Sequence, residues 1–174
     1  MNLLDRVHRL LADQQIGHAL IGAAALAARG IARSTYDIDL LTVDGRVLQA
    51  SAWGALVATG VVVEIRRGDQ GDPLGGVVRL ESPGERPVDV IVGKAAWQAR
   101  AVQRAEALAE GPPVVLAVDL VLLKLYAGGA QDLWDVEQLL HLPSAEVLRA
   151  QVEAELVNLS EDIRSSWEAV TKRK

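Results

Sequence analysis

The chain has 174 residues, of which 50% are hydrophobic and 24% are charged, so it can bury a core and is not a disordered protein. It contains no cysteine, which excludes disulfides, thiolate metal sites and a cysteine nucleophile. The formal net charge of −5 disfavours a nucleic-acid-binding protein that relies on bulk positive charge.

The first part of the chain is predicted to alternate helices and strands. Apolar residues at helical spacing predict a helix over 2–15, and an alanine-rich segment predicts another over 23–29. Short apolar runs predict strands at 18–21 and 36–43. A further helix is predicted over 47–58, where a glycine follows the last apolar residues.

Three β-branched runs follow, and turn-rich segments separate them. Their order along the chain predicts three strands in an antiparallel meander, at 61–66, 76–80 and 88–92. Beyond residue 94 the apolar spacing predicts helices, at 95–109, 118–127, 131–141 and 144–170. We therefore expect an α/β (α+β) fold in which a mixed, mostly antiparallel sheet is flanked by helices and followed by a helical tail.

A glycine-proline-proline segment at 111–113 is the predicted junction between two parts of the chain. It divides an α/β core over 1–110 from a C-terminal helical region over 111–174, which we expect to pack on the core. We also expect a cytoplasmic protein with no membrane association, because no signal peptide and no bilayer-spanning apolar stretch is found in the sequence.

Carboxylates are the strongest candidates for chemistry, because the sequence lacks the common glycine-rich phosphate, zinc-protease and serine-hydrolase motifs. Asp37 and Asp39 are two residues apart in a predicted strand, so their side chains share one face. Asp89 interrupts an apolar strand, where a buried carboxylate needs a partner. Three converging carboxylates would bind Mg²⁺ or Mn²⁺, and such ions activate a hydroxyl and neutralise a triphosphate. The alternatives are a solvated strand end for the first two and an exposed edge strand for Asp89.

Three further residues are candidates for phosphate binding. Gly22 lies between a predicted strand and a helix, where backbone N–H groups can hold a phosphate, unless it only forms a tight turn. Arg33 can pair with a triphosphate or lie on an exposed loop, and Lys124 can meet a phosphate or extend its ammonium from an apolar helix to water. Asp132 and Asp135 share one helix face, from which they can cap that helix or hold these two cations in place.

The segments that carry these residues resemble the nucleotidyltransferase superfamily that includes DNA polymerase beta. IGAAALAARGIARSTYDIDLL contains a turn, an R-x-T and a D-x-D, and VDVIV contains the third carboxylate. DLVLLKLYAGGAQDLWDVEQLL contains a D-L-x-x-x-K-L-x-A segment and then a D-L-x-D-V segment. These features resemble the branch of small bacterial proteins related to the AbiEii abortive-infection toxins. Two departures are Ala23, where the family has Gly or Ser, and residues 128–131, where relatives carry a basic residue.

The resemblance implies a metal-dependent enzyme that moves a nucleoside monophosphate from an NTP to a hydroxyl of a tRNA, a protein or a small molecule. It implies that the catalytic residues and the ligands of Mg²⁺ or Mn²⁺ are Asp37, Asp39 and Asp89. It implies nucleotide binding by Gly22, Ala23, Arg33, Thr35 and Lys124, supported by Asp132 and Asp135. A toxin of this branch would also have an antitoxin protein as its partner.

Two other functions are compatible with the sequence. The departure at Ala23 and the missing basic residue suggest a catalytically inactive module of the same fold that binds a protein or a nucleotide. An acidic loop at 68–76, with Asp69 and Asp72, would suit a cationic drug in an antibiotic-modifying adenylyltransferase, unless it is a plain hairpin turn. The nearby arginines are expected to pair with glutamates across strands, rather than to form a basic patch.

Overall fold

The computed structural model describes residues 1–33 and 35–172, so Ser34, the middle residue of the R-x-T segment, lies outside the described residues. The chain forms two compact units, Met1–Val115 and Leu116–Lys174. Val114 pairs with both Leu20 and Glu106, which joins the last residues of the first unit to its earlier part.

The first unit contains a five-stranded sheet and four α-helices within its described residues. In chain order these are α1 (Leu3–Asp13), β1 (His18–Leu20), α2 (Gly22–Ala27), β2 (Ile38–Thr42), α3 (Gly54–Val57), β3 (Val62–Arg67), β4 (Leu74–Glu81), β5 (Val88–Gly93) and α4 (Ala96–Gln103). The strand order is β1-β2-β5-β4-β3, and β2 and β5 are parallel while the other neighbours are antiparallel. The predicted mixed, mostly antiparallel sheet and the meander are therefore confirmed.

The alternation of side chains along each strand gives the sheet two different faces. One face is apolar and lies in the core, with buried residues from three adjacent strands: Leu40, Val78, Leu80, Val88, Val90 and Val92. The other face, which we call the open face, carries Asp39, Asp89, Arg79 and Glu64 in one row across β2, β5, β4 and β3. Because β5 is the central strand, the edge-strand interpretation of Asp89 is wrong.

Residues 47–58 do not form the predicted single helix. Two 3-10 turns, Gly45–Leu48 and Ala50–Trp53, precede the one-turn helix α3. On one continuous helix the buried Val47 and Leu56 would point about 180° apart, so both could not face the core. The two 3-10 turns change the direction of the chain, so that both residues are buried. The buried indole of Trp53 donates a hydrogen bond of 2.7 Å to the carbonyl of Val47.

The second unit is helical over its described residues. It contains α5 (Ala117–Ala127), α6 (Ala130–Leu139), α7 (Ala145–Leu156) and α8 (Glu161–Thr171). The helix predicted over 144–170 is two helices, because Ser160 is extended (φ −62°, ψ 157°) and starts α8 with two acidic residues in its first turn. The prediction over 95–109 is too long, since Glu106 pairs with Val114 instead. Within the described part of the chain, no helix has the length and apolar character needed to cross a membrane.

A histidine pair lies between α1 and β1. His18 is buried, its Nδ1 donates to the carbonyl of Ile16 at 2.7 Å, and its Nε2 lies 2.7 Å from Nδ1 of His8. The carbonyl can only accept, so His18 is neutral when Nε2 accepts from His8. Burial lowers the pKa of His18, against the opposing effect of the Ile16 hydrogen bond.

We expect this histidine to destabilise the protein in mild acid. The folded-state pKa lies below 6.5, so the unfolded chain takes up the proton first, and stability falls as the pH drops below 6.5. The loss is at most about 1.4 kcal/mol per pH unit. Urea unfolding at pH 7.5 and 5.5 should show a smaller loss for His18→Asn, which keeps a donor for Ile16, than for the wild type.

The matched control is His141→Asn, which removes an exposed histidine. This variant should lose as much stability between the two pH values as the wild type does. Parallel pH curves for the wild type and His18→Asn would contradict the assignment.

Candidate active site

The three candidate carboxylates lie close together on the open face of the sheet. Asp39 and Asp89 are direct partners in the parallel register of β2 and β5, so their side chains point to the same side. Asp37 precedes β2 by one residue and lies two residues before Asp39, on the same face. The side chain of Asp89 is 15% exposed and that of Asp37 is 35% exposed, so both are partly accessible to solvent.

Arg79 contacts this cluster with its guanidinium. It lies on β4 directly opposite Asp89, and its Nη1 is 2.8 Å from Oδ2 of Asp89 and 3.6 Å from Oδ2 of Asp37. Its Nε donates to Oε1 of Glu81 at 2.9 Å. The expected pairing of Arg79 with a glutamate across strands is therefore wrong, since Glu81 is on the same strand and the cross-strand partner is an aspartate. Sequence reasoning missed this role, because register between β4 and β5 cannot be seen in the sequence.

Asp89 has one oxygen that Arg79 does not satisfy. Its Oδ1 is buried and has no hydrogen-bond partner among the described residues. Burial raises the pKa of the Asp89 carboxyl, the guanidinium of Arg79 opposes the rise, and the net direction is upward. An unpaired buried carboxylate oxygen is costly, so this site favours an additional donor or cation.

Asp39 and Asp89 are candidate ligands for a divalent metal ion. Carboxylate oxygens on neighbouring strands are the hard ligands that Mg²⁺ and Mn²⁺ prefer, and Oδ1 of Asp89 lacks a partner in the described chain. Asp39 and Asp89 would hold such an ion, with Asp37 beside them. Over residues 1–33 and 35–172, no three histidine or acidic side chains form a ready-made metal site. Arg79 brings a positive charge into contact with the cluster.

Gly22 determines how closely the backbone approaches Asp39. It starts α2 with φ +60°, and a Cβ at this position would overlap the carboxylate of Asp39. The N–H of Ile21 donates to the carbonyl of Asp39 at 3.0 Å, which fixes the turn against β2. Gly22 therefore lies beside the Asp39 carboxylate, and Ala23, the next residue of α2, is buried.

The loop before β2 is held to Asp37. The hydroxyl of Thr35 donates to Oδ1 of Asp37 at 3.0 Å, and Nη2 of Arg86 donates to the Asp37 carbonyl at 3.0 Å. Weaker contacts of 3.4 Å join Arg86 to the carbonyls of Thr35 and Tyr36. Arg33 is half-buried in the same loop. The structure thus brings Thr35 to the carboxylates, and Arg86 is a further positioning residue that the sequence did not reveal.

In the second unit, the three other candidate residues come together. Nζ of Lys124 lies 2.7 Å from Oδ1 of Asp132 and 2.8 Å from Oδ2 of Asp135, and Lys124 is only 7% exposed. The alternative in which this ammonium reaches water is wrong. Two carboxylates of α6 engage it, so the group links α5 to α6. Removing one partner of a buried ion pair is strongly destabilising.

The acidic loop at 68–76 is a turn held by its own carboxylates. Oδ1 of Asp69 accepts from the N–H groups of Gly71 and Asp72, at 2.7 and 3.1 Å, and Oδ2 of Asp72 accepts from the N–H of Asp69 at 2.7 Å. Nζ of Lys94 donates to the carbonyls of Asp69 and Asp72. An open cavity of about 380 Å³ is lined by residues of this loop and of the open face, Asp89 and Arg79 among them.

Two solved structures share this fold. The antibiotic-resistance factor ANT(2'')-Ia, known from a solution structure, has 18% sequence identity and a TM-score of 0.54, with 95% of this chain and 92% of that chain covered. A Thermotoga maritima protein assigned to the nucleotidyltransferases has 15% identity and a TM-score of 0.53, with 87% and 91% covered. No protein-family model and no curated protein matches the chain. The chain therefore has the nucleotidyltransferase fold.

We expect Gly22→Ala to destabilise the protein by roughly 2–4 kcal/mol, from backbone strain and from overlap with Asp39. The matched control is Gly30→Ala, because Gly30 also has a positive φ, +81°, but no atom lies near its Cβ position. This control should lose only the strain of about 1–2 kcal/mol. Urea unfolding gives the free energy of unfolding of both variants. Equal losses of stability would show that the Asp39 carboxylate does not exclude a side chain at residue 22.

Proposed function

We propose that this protein is a metal-dependent nucleotidyltransferase that moves a nucleoside monophosphate from an NTP to an acceptor hydroxyl. The observation that carries the proposal is the pairing of Asp39 with Asp89, with Asp37 on the same open face, within a nucleotidyltransferase fold. The unpartnered Oδ1 of Asp89 supports it, because this oxygen is free of hydrogen bonds from the described residues.

In the proposed reaction the acceptor oxygen bonds to the α-phosphorus, the bond to the β-phosphate oxygen breaks, and pyrophosphate leaves. Mg²⁺ or Mn²⁺ bound at the carboxylates would activate the hydroxyl and offset the charge of the triphosphate. Asp37 and Asp39 would share the metal with the nucleotide phosphates. Asp89 would complete the metal ligands and take the proton of the acceptor hydroxyl.

Other residues of the site would bind and orient the substrate. Gly22 allows the backbone to approach the carboxylates, and we assign it and Ala23 to the phosphates of the nucleotide. Thr35 and Arg86 keep Asp37 in place through hydrogen bonds to its side chain and its carbonyl. Arg33, in the same loop, would offset charge on the leaving pyrophosphate.

For the acceptor, we propose a hydroxyl of a tRNA or a protein, with the chain acting as the toxin of a toxin–antitoxin or abortive-infection pair. The support is the resemblance to the AbiEii branch. The threonine of its R-x-T segment, Thr35 in this chain, donates a hydrogen bond to the Asp37 carboxylate. An antibiotic as acceptor is less well supported. ANT(2'')-Ia is an antibiotic-resistance factor, but Asp69 and Asp72 of this chain hold their own turn.

A second candidate function is a nucleotide-binding or protein-binding module without catalysis. The contact of Arg79 with Asp37 and Asp89 favours it, because a positive charge already partly neutralises the cluster. The two functions differ in their need for metal. A module would bind its ligand without Mg²⁺ or Mn²⁺ and would tolerate the loss of Asp39.

We expect an NTP to stabilise the protein only when a divalent cation is present. Thermal unfolding with each of the four NTPs, with and without Mg²⁺ or Mn²⁺, measures this. A nucleotide at about a hundred times its Kd adds about 2.7 kcal/mol, which raises Tm by several degrees at this chain length. The shift should disappear in Asp39→Asn and Asp89→Asn, since both remove a ligand oxygen's charge.

The matched control is Asp13→Asn, which removes one exposed carboxylate at the end of α1 and should keep the full shift. A well-folded protein that shows no metal-dependent shift with any NTP would refute the proposed reaction. A shift that survives both active-site substitutions would favour the module instead.

A further inference from the structure

Arg79 and a divalent cation would bind the same carboxylate groups. The guanidinium contacts Oδ2 of Asp89 at 2.8 Å and approaches Oδ2 of Asp37 to 3.6 Å. Asp39 lies directly beside Asp89 in the register, so a cation at this pair would be close to the guanidinium. Like charges at such short range repel, so a divalent cation at this pair weakens the contacts of the guanidinium.

We propose that Arg79 is a resident counter-ion of the carboxylate cluster, and that a divalent cation binds only by displacing it. This inference rests on the proposed function, because it assumes that the carboxylates take a metal. It assigns to Arg79 a positioning role that sets the metal affinity of the site. The residue holds Asp37 and Asp89 together and partly neutral until metal and nucleotide arrive.

The contacts of Arg79 are suited to reversible release. Nε is held by Glu81 on the same strand at 2.9 Å, so the side chain stays anchored when Nη1 leaves Asp89. The side chain is 29% exposed and lines the open cavity, which gives the guanidinium room to turn. Because the guanidinium is partly exposed, water can replace Asp89 as its hydrogen-bond partner when it turns away.

Arg79 does not satisfy all the hydrogen-bonding capacity of the Asp89 carboxylate. The guanidinium bonds one oxygen of Asp89 and leaves Oδ1 buried without a hydrogen-bond partner among the described residues. A ligand that satisfies this second oxygen therefore gains an interaction that Arg79 does not provide. Nucleotide phosphates would add further metal ligands, so metal and nucleotide together would displace Arg79 more readily than metal alone.

The test is a titration with Mn²⁺ in the absence of nucleotide. Binding is measured from the electron paramagnetic resonance signal of the free ion. Arg79→Gln should raise the Mn²⁺ affinity about tenfold, because it removes the competing cation. The matched control is Arg66→Gln, which removes the same charge from the same face. Arg66 pairs with Glu64 at 2.9 Å, so its removal should change the affinity less than about threefold.

Asp89→Asn identifies the site and should abolish the binding in either background. If neither the wild type nor folded Arg79→Gln binds Mn²⁺, the proposed function and this inference both fail. If Asp89-dependent binding is present but Arg79→Gln does not exceed Arg66→Gln, the inference alone fails.

A thermal melt shows whether Arg79→Gln is folded. If it is not, Arg79→Lys replaces it, since a single ammonium cannot contact Glu81 and Asp89 through separate nitrogens. This variant should also bind Mn²⁺ more tightly than the wild type, by a smaller factor. An unchanged affinity in folded Arg79→Lys would overturn the inference.

Discussion

The parallel pairing of β2 and β5 places two carboxylates, Asp39 and Asp89, directly opposite each other on one face of the sheet. Like charges at such positions destabilise a sheet unless a cation lies between or beside them. The next strand supplies that cation, because β4 sets Arg79 opposite Asp89. The position of the Asp39 carboxylate also restricts residue 22. A side chain there would overlap the carboxylate, so glycine is required.

The apolar face of the sheet stabilises the fold, and the open face carries the candidate site residues. Alternate residues of β4 and β5 pack in an apolar core, so the strands are held in place without help from the charged row. The open face is therefore free to carry charges whose mutual repulsion would otherwise weaken the fold. Thr35 and Arg86 add hydrogen bonds that hold Asp37 at the edge of this row. A rigid sheet with an unbalanced acidic row suits reversible metal and nucleotide binding.

Local patterns in the sequence predicted the parts of the site that depend on spacing. Period-2 alternation put Asp37 and Asp39 on one face, and helical spacing put Asp132 and Asp135 together, where both contact Lys124. The predicted strands were confirmed for the same reason. Local spacing could not supply the register that joins Arg79 to Asp89, the turns in residues 47–58, or the extended Ser160 between α7 and α8.

The most direct measurement is a diffraction experiment on crystals grown with Mn²⁺ and a non-hydrolysable NTP, recorded near the manganese absorption edge. We expect an anomalous peak within coordinating distance of the Asp39 and Asp89 carboxylates, with Nη1 of Arg79 turned away from Asp89 and Nε still on Glu81. A nucleotide-bound structure with no manganese at these carboxylates, and with Arg79 still paired to Asp89, would contradict both the metal site and the role of Arg79.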